Sequence, residues 1–103
     1  MTKDAKNGDY FIKACQMVSE NPTFVFCYAK VLGQGPLTGI RFHHAWVELR
    51  DVVFDYSNGN NIVLRKELYY EKANIEEQDV VKQTSNEVIL LMLQTGTYGG
   101  WIK

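Results

Sequence analysis

No run of apolar residues in this chain approaches the roughly 20 that a membrane-spanning helix requires. The longest, Val88 to Leu93, has six. The opening segment, Met1-Thr-Lys-Asp-Ala-Lys-Asn7, is polar and lacks the apolar stretch of a secretory signal, so a cytoplasmic location is expected. Cysteine is scarce: Cys15 and Cys27 are too few and too widely spaced for a zinc site or a disulfide scaffold, and in a reducing compartment both should be free thiols. Charge of one sign is also missing. The net charge is −1, with acids and bases interspersed, which leaves no electrostatic footprint for nucleic acid or an anionic membrane. Neither is expected as a partner. Repeats, linkers and low-complexity tracts are absent, and 103 residues supply one core, so a single domain over 1–103 is expected, with residues 1–7 frayed.

No cofactor or metal is expected either. Gly33-Gln-Gly-Pro36 lacks the lysine and the strand-to-helix setting of a phosphate loop. Asn58-Gly-Asn-Asn61 has one nearby carboxylate, Asp55, which is too few hard ligands for calcium.

What is present is a well-supplied core: 46% apolar residues, with five Phe, six Tyr and two Trp. Asp9 to Glu20 reads as a helix, with Asp9 as N-cap and Phe11, Ala14, Cys15 and Val18 on one face; Asn21-Pro22 ends it. Thr23–Val31, Ile40–Leu49 and Val52–Tyr56 read as strands, the last two joined as a hairpin by Arg50-Asp51. Glu67–Ala73 reads as a short helix and Asp79–Gln83 as a fourth strand. Thr84 and Glu87 have capping-box spacing, and the helix through Val88–Leu93 should stop at Gly96. Trp101 and Ile102 should dock back on the body. The expected class is α+β: an N-terminal helix packed on a small antiparallel sheet, with two further helices.

The segment that carries chemistry is Phe42-His-His-Ala-Trp-Val-Glu-Leu-Arg-Asp-Val-Val-Phe-Asp-Tyr-Ser57. It sets a histidine on one strand and an aspartate at the end of the next. A carboxylate on the far nitrogen of an imidazole fixes its tautomer and stabilises its charged form, and paired strands can hold His44 and Asp55 in that relation. His43 and His44 point to opposite faces, one toward the helix layer and the other toward solvent or a sheet edge; His44 is read as the inward one. Asp55 alternatively forms an Asx-type turn to Ser57 or Asn58. Cys27 sits mid-strand with Val25 and Ala29 on its face, and a pairing with the His44 strand would bring sulfur and imidazole near each other. Its structural alternative, like that of Cys15, is a small buried hydrophobe. Trp46 reads as a core or pocket wall residue, and Glu48 as the solvated face of its strand.

His44-Ala-Trp-Val-Glu48, a hairpin, then an aspartate before a turn resembles the histidine and aspartate strands of papain-like and transglutaminase-like proteins. The longer run, through Asp55-Tyr-Ser-Asn-Gly-Asn60, Glu67-Leu-Tyr-Tyr70 and Tyr98-Gly-Gly-Trp101, is similar to small proteins of bacteria and their phages. The family likeness covers residues 8–60. It implies a cysteine nucleophile opening the first helix, His44 as base and Asp55 as its orienter; Tyr10, Trp46 and Asn58 are the residues expected to meet a substrate or partner. This chain departs from the pattern where the nucleophile belongs: Gly8-Asp9-Tyr10 presents a carboxylate, a good helix cap and a poor acyl-transfer nucleophile. Two functions are therefore expected. One is a degenerate domain that binds or inhibits a protein or small molecule through a cleft around His44. The other is a cysteine hydrolase or acyltransferase using Cys15 or Cys27. A carboxylate-based variant would draw on Asp9, His44 and Asp55 for acid–base work.

Overall fold

The structure, a computed structural model, describes residues 12–32, 39–56, 61–97 and 101. Helix α1 covers 12–20 and is followed by β1 (Val25–Leu32), β2 (Arg41–Leu49), β3 (Val52–Asp55) and β4 (Ile62–Arg65). Then come α2 (Lys66–Ala73), a 3-10 turn (Glu77–Asp79), β5 (Val81–Gln83) and α3 (Ser85–Thr95). The five strands form one antiparallel sheet in the order β4-β3-β2-β1-β5. The class is α+β, with α1 packed on the sheet. No helix among the described residues is long and apolar enough to cross a membrane.

The elements end where local chemistry ends them. After α1 the Asn21 carboxamide accepts from the Thr23 backbone N–H and hydroxyl at 3.2 and 2.7 Å, so the chain turns before Phe24 enters the sheet. α2 stops at Asn74, whose left-handed φ of 54° suits asparagine and returns its N–H to the last turn. α3 opens on a reciprocal capping box: the Glu87 N–H donates to the Thr84 hydroxyl at 3.2 Å and the Thr84 N–H donates to the Glu87 carboxylate at 2.8 Å. It closes on Gly96 at φ 69°, a left-handed conformation natural to glycine.

Strand β4 was not expected. Ile62-Val-Leu-Arg65 runs into α2 with no intervening turn residue, so its signal merges with that of the helix. Its β-branched pair and its position after a turn-forming cluster are the features that mark it as a strand.

Alternation along the central strand β2 divides the molecule. Ala45 and Val47 face α1 and α3, packing with Cys15, Val18, Phe26 and Val88 in one fully buried cluster. His44, Trp46 and Glu48 point the other way, where Cys27, Val53, Tyr69 and Tyr70 form a second cluster under α2. Helices therefore cover both faces, α1 and α3 on the Ala45 and Val47 side and α2 on the His44 side. Burying Trp46 and Phe26 contributes about 2–3 kcal/mol each. Trp101 docks on Phe26, with ring centroids 6.1 Å apart, and donates to Gln83 at 3.1 Å. Ile102 and the Gly33–Thr38 part of the β1–β2 loop lie outside the described residues.

Removing the Thr84 hydroxyl leaves an N-terminal N–H of α3 without its cap. Thr84→Ala should lower stability by about 1 kcal/mol in urea unfolding with an unchanged denaturant slope. An unchanged midpoint would show that the cap contributes nothing to the folded chain.

Candidate functional site

The β2–β3 register brings the expected pair together. Val47 lies opposite Phe54 and Glu48 opposite Val53, which sets Asp55 on the same face as His44 and Trp46. The His44 Nε2–H donates to Asp55 Oδ2 at 2.8 Å, and the Tyr69 hydroxyl donates to the same oxygen at 2.8 Å. All three side chains are buried. The imidazole is therefore held as the Nε2–H tautomer by a carboxylate that a helix hydroxyl also grips.

A second carboxylate repeats the arrangement. Glu48 Oε2 accepts from Trp46 Nε1 at 3.0 Å and from the Tyr70 hydroxyl at 2.5 Å, while Lys82 Nζ stands 3.6 Å from its other oxygen. Glu48 is buried; the expectation of a solvated face fails because it shares its parity with Trp46, and α2 covers both. That shared parity was readable in the sequence. Tyr69 and Tyr70 were legible only as aromatics, since nothing in Glu67-Leu-Tyr-Tyr70 says that neighbouring hydroxyls reach two different carboxylates. Burial, then the adjacent Asp55 and Glu48 carboxylates, push both phenols well above the usual tyrosine value, so they remain neutral donors. At the rim, Lys82 bonds Glu77 at 2.5 Å and Lys66 reaches it at 3.2 Å. The Lys82 ammonium, with Lys66, holds Glu77 below the usual carboxylate range.

The structure does not bring a cysteine to His44. Cys15 belongs to the α1 and α3 cluster on the opposite side of the sheet, and is fully buried. Cys27 shares the His44 face but lies opposite Trp46, while Ala29 occupies the position across from His44. Its sulfur donates to the Val25 carbonyl at 3.8 Å. Burial pushes the Cys15 thiol up to about 12 and raises Cys27 further, with the Glu48 charge adding to the burial. Both are neutral, enclosed thiols. His43 lies on the α1 side with its Nδ1 buried and without a hydrogen-bond partner among the described residues. Asp9, Tyr10 and Asn58 lie outside the described residues. At the nearest described part of α1, Lys13 and Ala14 share a small cavity with Asp55 and Tyr56.

Trp46 is a core wall and not a surface platform: it is 1% exposed and packs against Tyr69 and Tyr70 at centroid distances of 5.3 and 6.0 Å. An open groove of about 400 Å³ is lined by Lys30, Arg41, Asn74, Ile75, Glu76 and Asp79. Lys30 occupies the β1–β2 rung next to that of His44, and Arg41 Nη1 donates to the Asn74 carbonyl at 3.3 Å. No His, Cys, Asp and Glu group among the described residues is placed to hold a metal. Neither protein-family models, curated proteins nor solved structures contain a match to this chain.

Two outcomes test the site. Tyr69→Phe and Tyr70→Phe each remove a hydroxyl that serves a buried carboxylate, so each should lower stability by about 1–3 kcal/mol in urea unfolding. A loss of a few tenths would mean that the carboxylates find other donors. Alkali gives the second. Because the folded Cys15 thiol ionises near 12 and not near its ordinary 9.0, its contribution is fully present below pH 9 and is lost as the pH rises toward 12. Stability measured across that window should fall less steeply in Cys15→Ala; an equal slope would count against an enclosed thiol.

Proposed function

We infer that this chain is a catalytically degenerate relative of papain-like or transglutaminase-like domains, of phage or bacterial origin, that acts as a binding or inhibitory module. The observation that carries this reading is the fate of the sulfurs. A cysteine hydrolase needs a thiolate in hydrogen-bond reach of its imidazole. Here Cys15 is across the sheet, Cys27 bonds a backbone carbonyl, and burial keeps both protonated. The imidazole and carboxylate are used instead to seat α2, together with Tyr69. Binding then falls to an accessible groove elsewhere on the surface. The groove bearing Lys30 and Arg41 on one side and Glu76 and Asp79 on the other offers charges of both signs to a protein or small molecule.

The second reading, an active cysteine hydrolase or acyltransferase, draws on the 2.8 Å His44–Asp55 bond, which is the geometry a general base requires. It needs Cys27 to reach the imidazole by a rearrangement of the layer under α2.

Thiol labelling separates the two. With a thiol-directed electrophile at neutral pH, mass spectrometry should find neither cysteine modified in the folded protein and both modified in denaturant. His44→Ala should leave that pattern unchanged. Rapid native labelling of Cys27 that His44→Ala abolishes would overturn the binding reading in favour of the hydrolase. For the binding role itself, partners or ligands found by co-purification or thermal shift should be lost in a Lys30→Glu, Arg41→Glu double variant; retention would move the binding surface elsewhere.

A further inference from the structure

The rim of α2 and the mixed-charge groove hold their charges in opposite ways. At the rim, Lys66 and Lys82 both reach Glu77, and Lys82 also stands by Glu48, so that cluster neutralises itself. In the groove Lys30 and Arg41 meet Glu76 and Asp79, yet no ion pair joins these four among the described residues. Arg41 bonds the Asn74 carbonyl and Glu76 accepts from the Gln78 carboxamide at 3.1 Å, while the Lys30 and Asp79 side chains bond no described residue.

Each wall also sets like charges side by side. Lys30 lies opposite His43 and Arg41 opposite Leu32, which makes the two cations diagonal neighbours on one face of the sheet. The Glu77–Asp79 turn is 3-10, closed by the Asp79 N–H on the Glu76 carbonyl at 2.9 Å, and side chains three residues apart eclipse in that geometry. Like pairs repel until an opposite charge lies between them. The walls are set before any ligand arrives: Arg41 is tied to the end of α2, and the Ile75 N–H donates to the Tyr70 carbonyl at 2.9 Å.

We propose that the groove takes a small dipolar molecule with a carboxylate at one end and an ammonium at the other, the chemistry of a short unblocked peptide. The proposal rests on the binding reading above and narrows it. The carboxylate meets Lys30 and Arg41, and the ammonium meets Glu76 and Asp79. A ligand of one sign is attracted to one wall and repelled by the other. Half-buried Ile75 offers an apolar contact, and the exposed Asn74 carboxamide, which bonds no described residue, offers a donor and an acceptor to an amide. At about 400 Å³ the groove is at the small end of ligand sites, which run from about 300 to 1,000 Å³.

Titration of the tripeptide Ala-Leu-Ala into the isotope-labelled full chain at pH 7 tests this. Amide resonances of Lys30, Arg41 and residues 74–79 should shift, with a dissociation constant of about 0.1–1 mM. N-acetylation and C-amidation of the tripeptide should each weaken binding about fivefold. Lys30→Gln should reduce the preference for the free carboxylate alone, and Asp79→Asn the preference for the free ammonium alone. Equal binding of blocked and unblocked tripeptides, or no shift in the groove at about 10 mM peptide, would overturn the proposal. Native thiol labelling of the same sample keeps this failure distinct from that of the binding reading: with both cysteines protected, a peptide that does not bind removes the ligand class alone.

Discussion

A carboxylate removed from water is tolerable only when donors reach it, and this chain buries two side by side beneath one short helix. Asp55 and Glu48 sit on adjacent strands and point the same way, and each takes one ring N–H from β2 and one phenol from α2. The pairing explains why α2, which presents little apolar surface beyond its tyrosine rings, stays on the sheet. Its consecutive hydroxyls supply the hydrogen bonds that the carboxylates require, while its rings close over Trp46. The network also fixes strand register. A one-residue slip of β3 against β2 would turn Asp55 to the α1 side and leave His44 Nε2 and the Tyr69 hydroxyl without it.

The same alternation governs what chemistry is left. Because His44 and Ala45 are neighbours on β2, the imidazole and the α1 cluster lie on opposite sides of the sheet, and Cys15 goes with the cluster. Cys27 goes with the imidazole, but two residues along the ladder from the position where a cross-strand contact would form. The histidine–aspartate pair ties β2, β3 and α2 together, and the accessible features among the described residues include a mixed-charge groove and an apolar helix face.

Much of the architecture was legible because strand alternation and capping are local. The Arg50-Asp51 connection, the capping box at Thr84 and Glu87, and the stop at Gly96 are written in residues a few positions apart, and the structure has each of them. The His44–Asp55 contact was readable for the same reason, since a tight hairpin leaves little freedom of register. What was not legible depends on elements distant in sequence. Glu48 reads as a solvated residue until α2 is known to cover the strand, and Tyr70, 22 residues further on, is what covers it. β4 was hidden by its merger with α2. Whether a cysteine meets His44 was decided by the β1–β2 register, which the Gly33–Gly39 loop does not specify.

The most direct test of the α2 clamp is a double-mutant cycle of Glu48→Ala and Tyr70→Phe, read by urea unfolding. If the phenol serves the buried carboxylate, the two losses will be coupled by about 1–3 kcal/mol, because each variant removes the same bond. Additive losses, with a coupling near zero, would contradict the account and leave the seating of α2 to its aromatic rings alone.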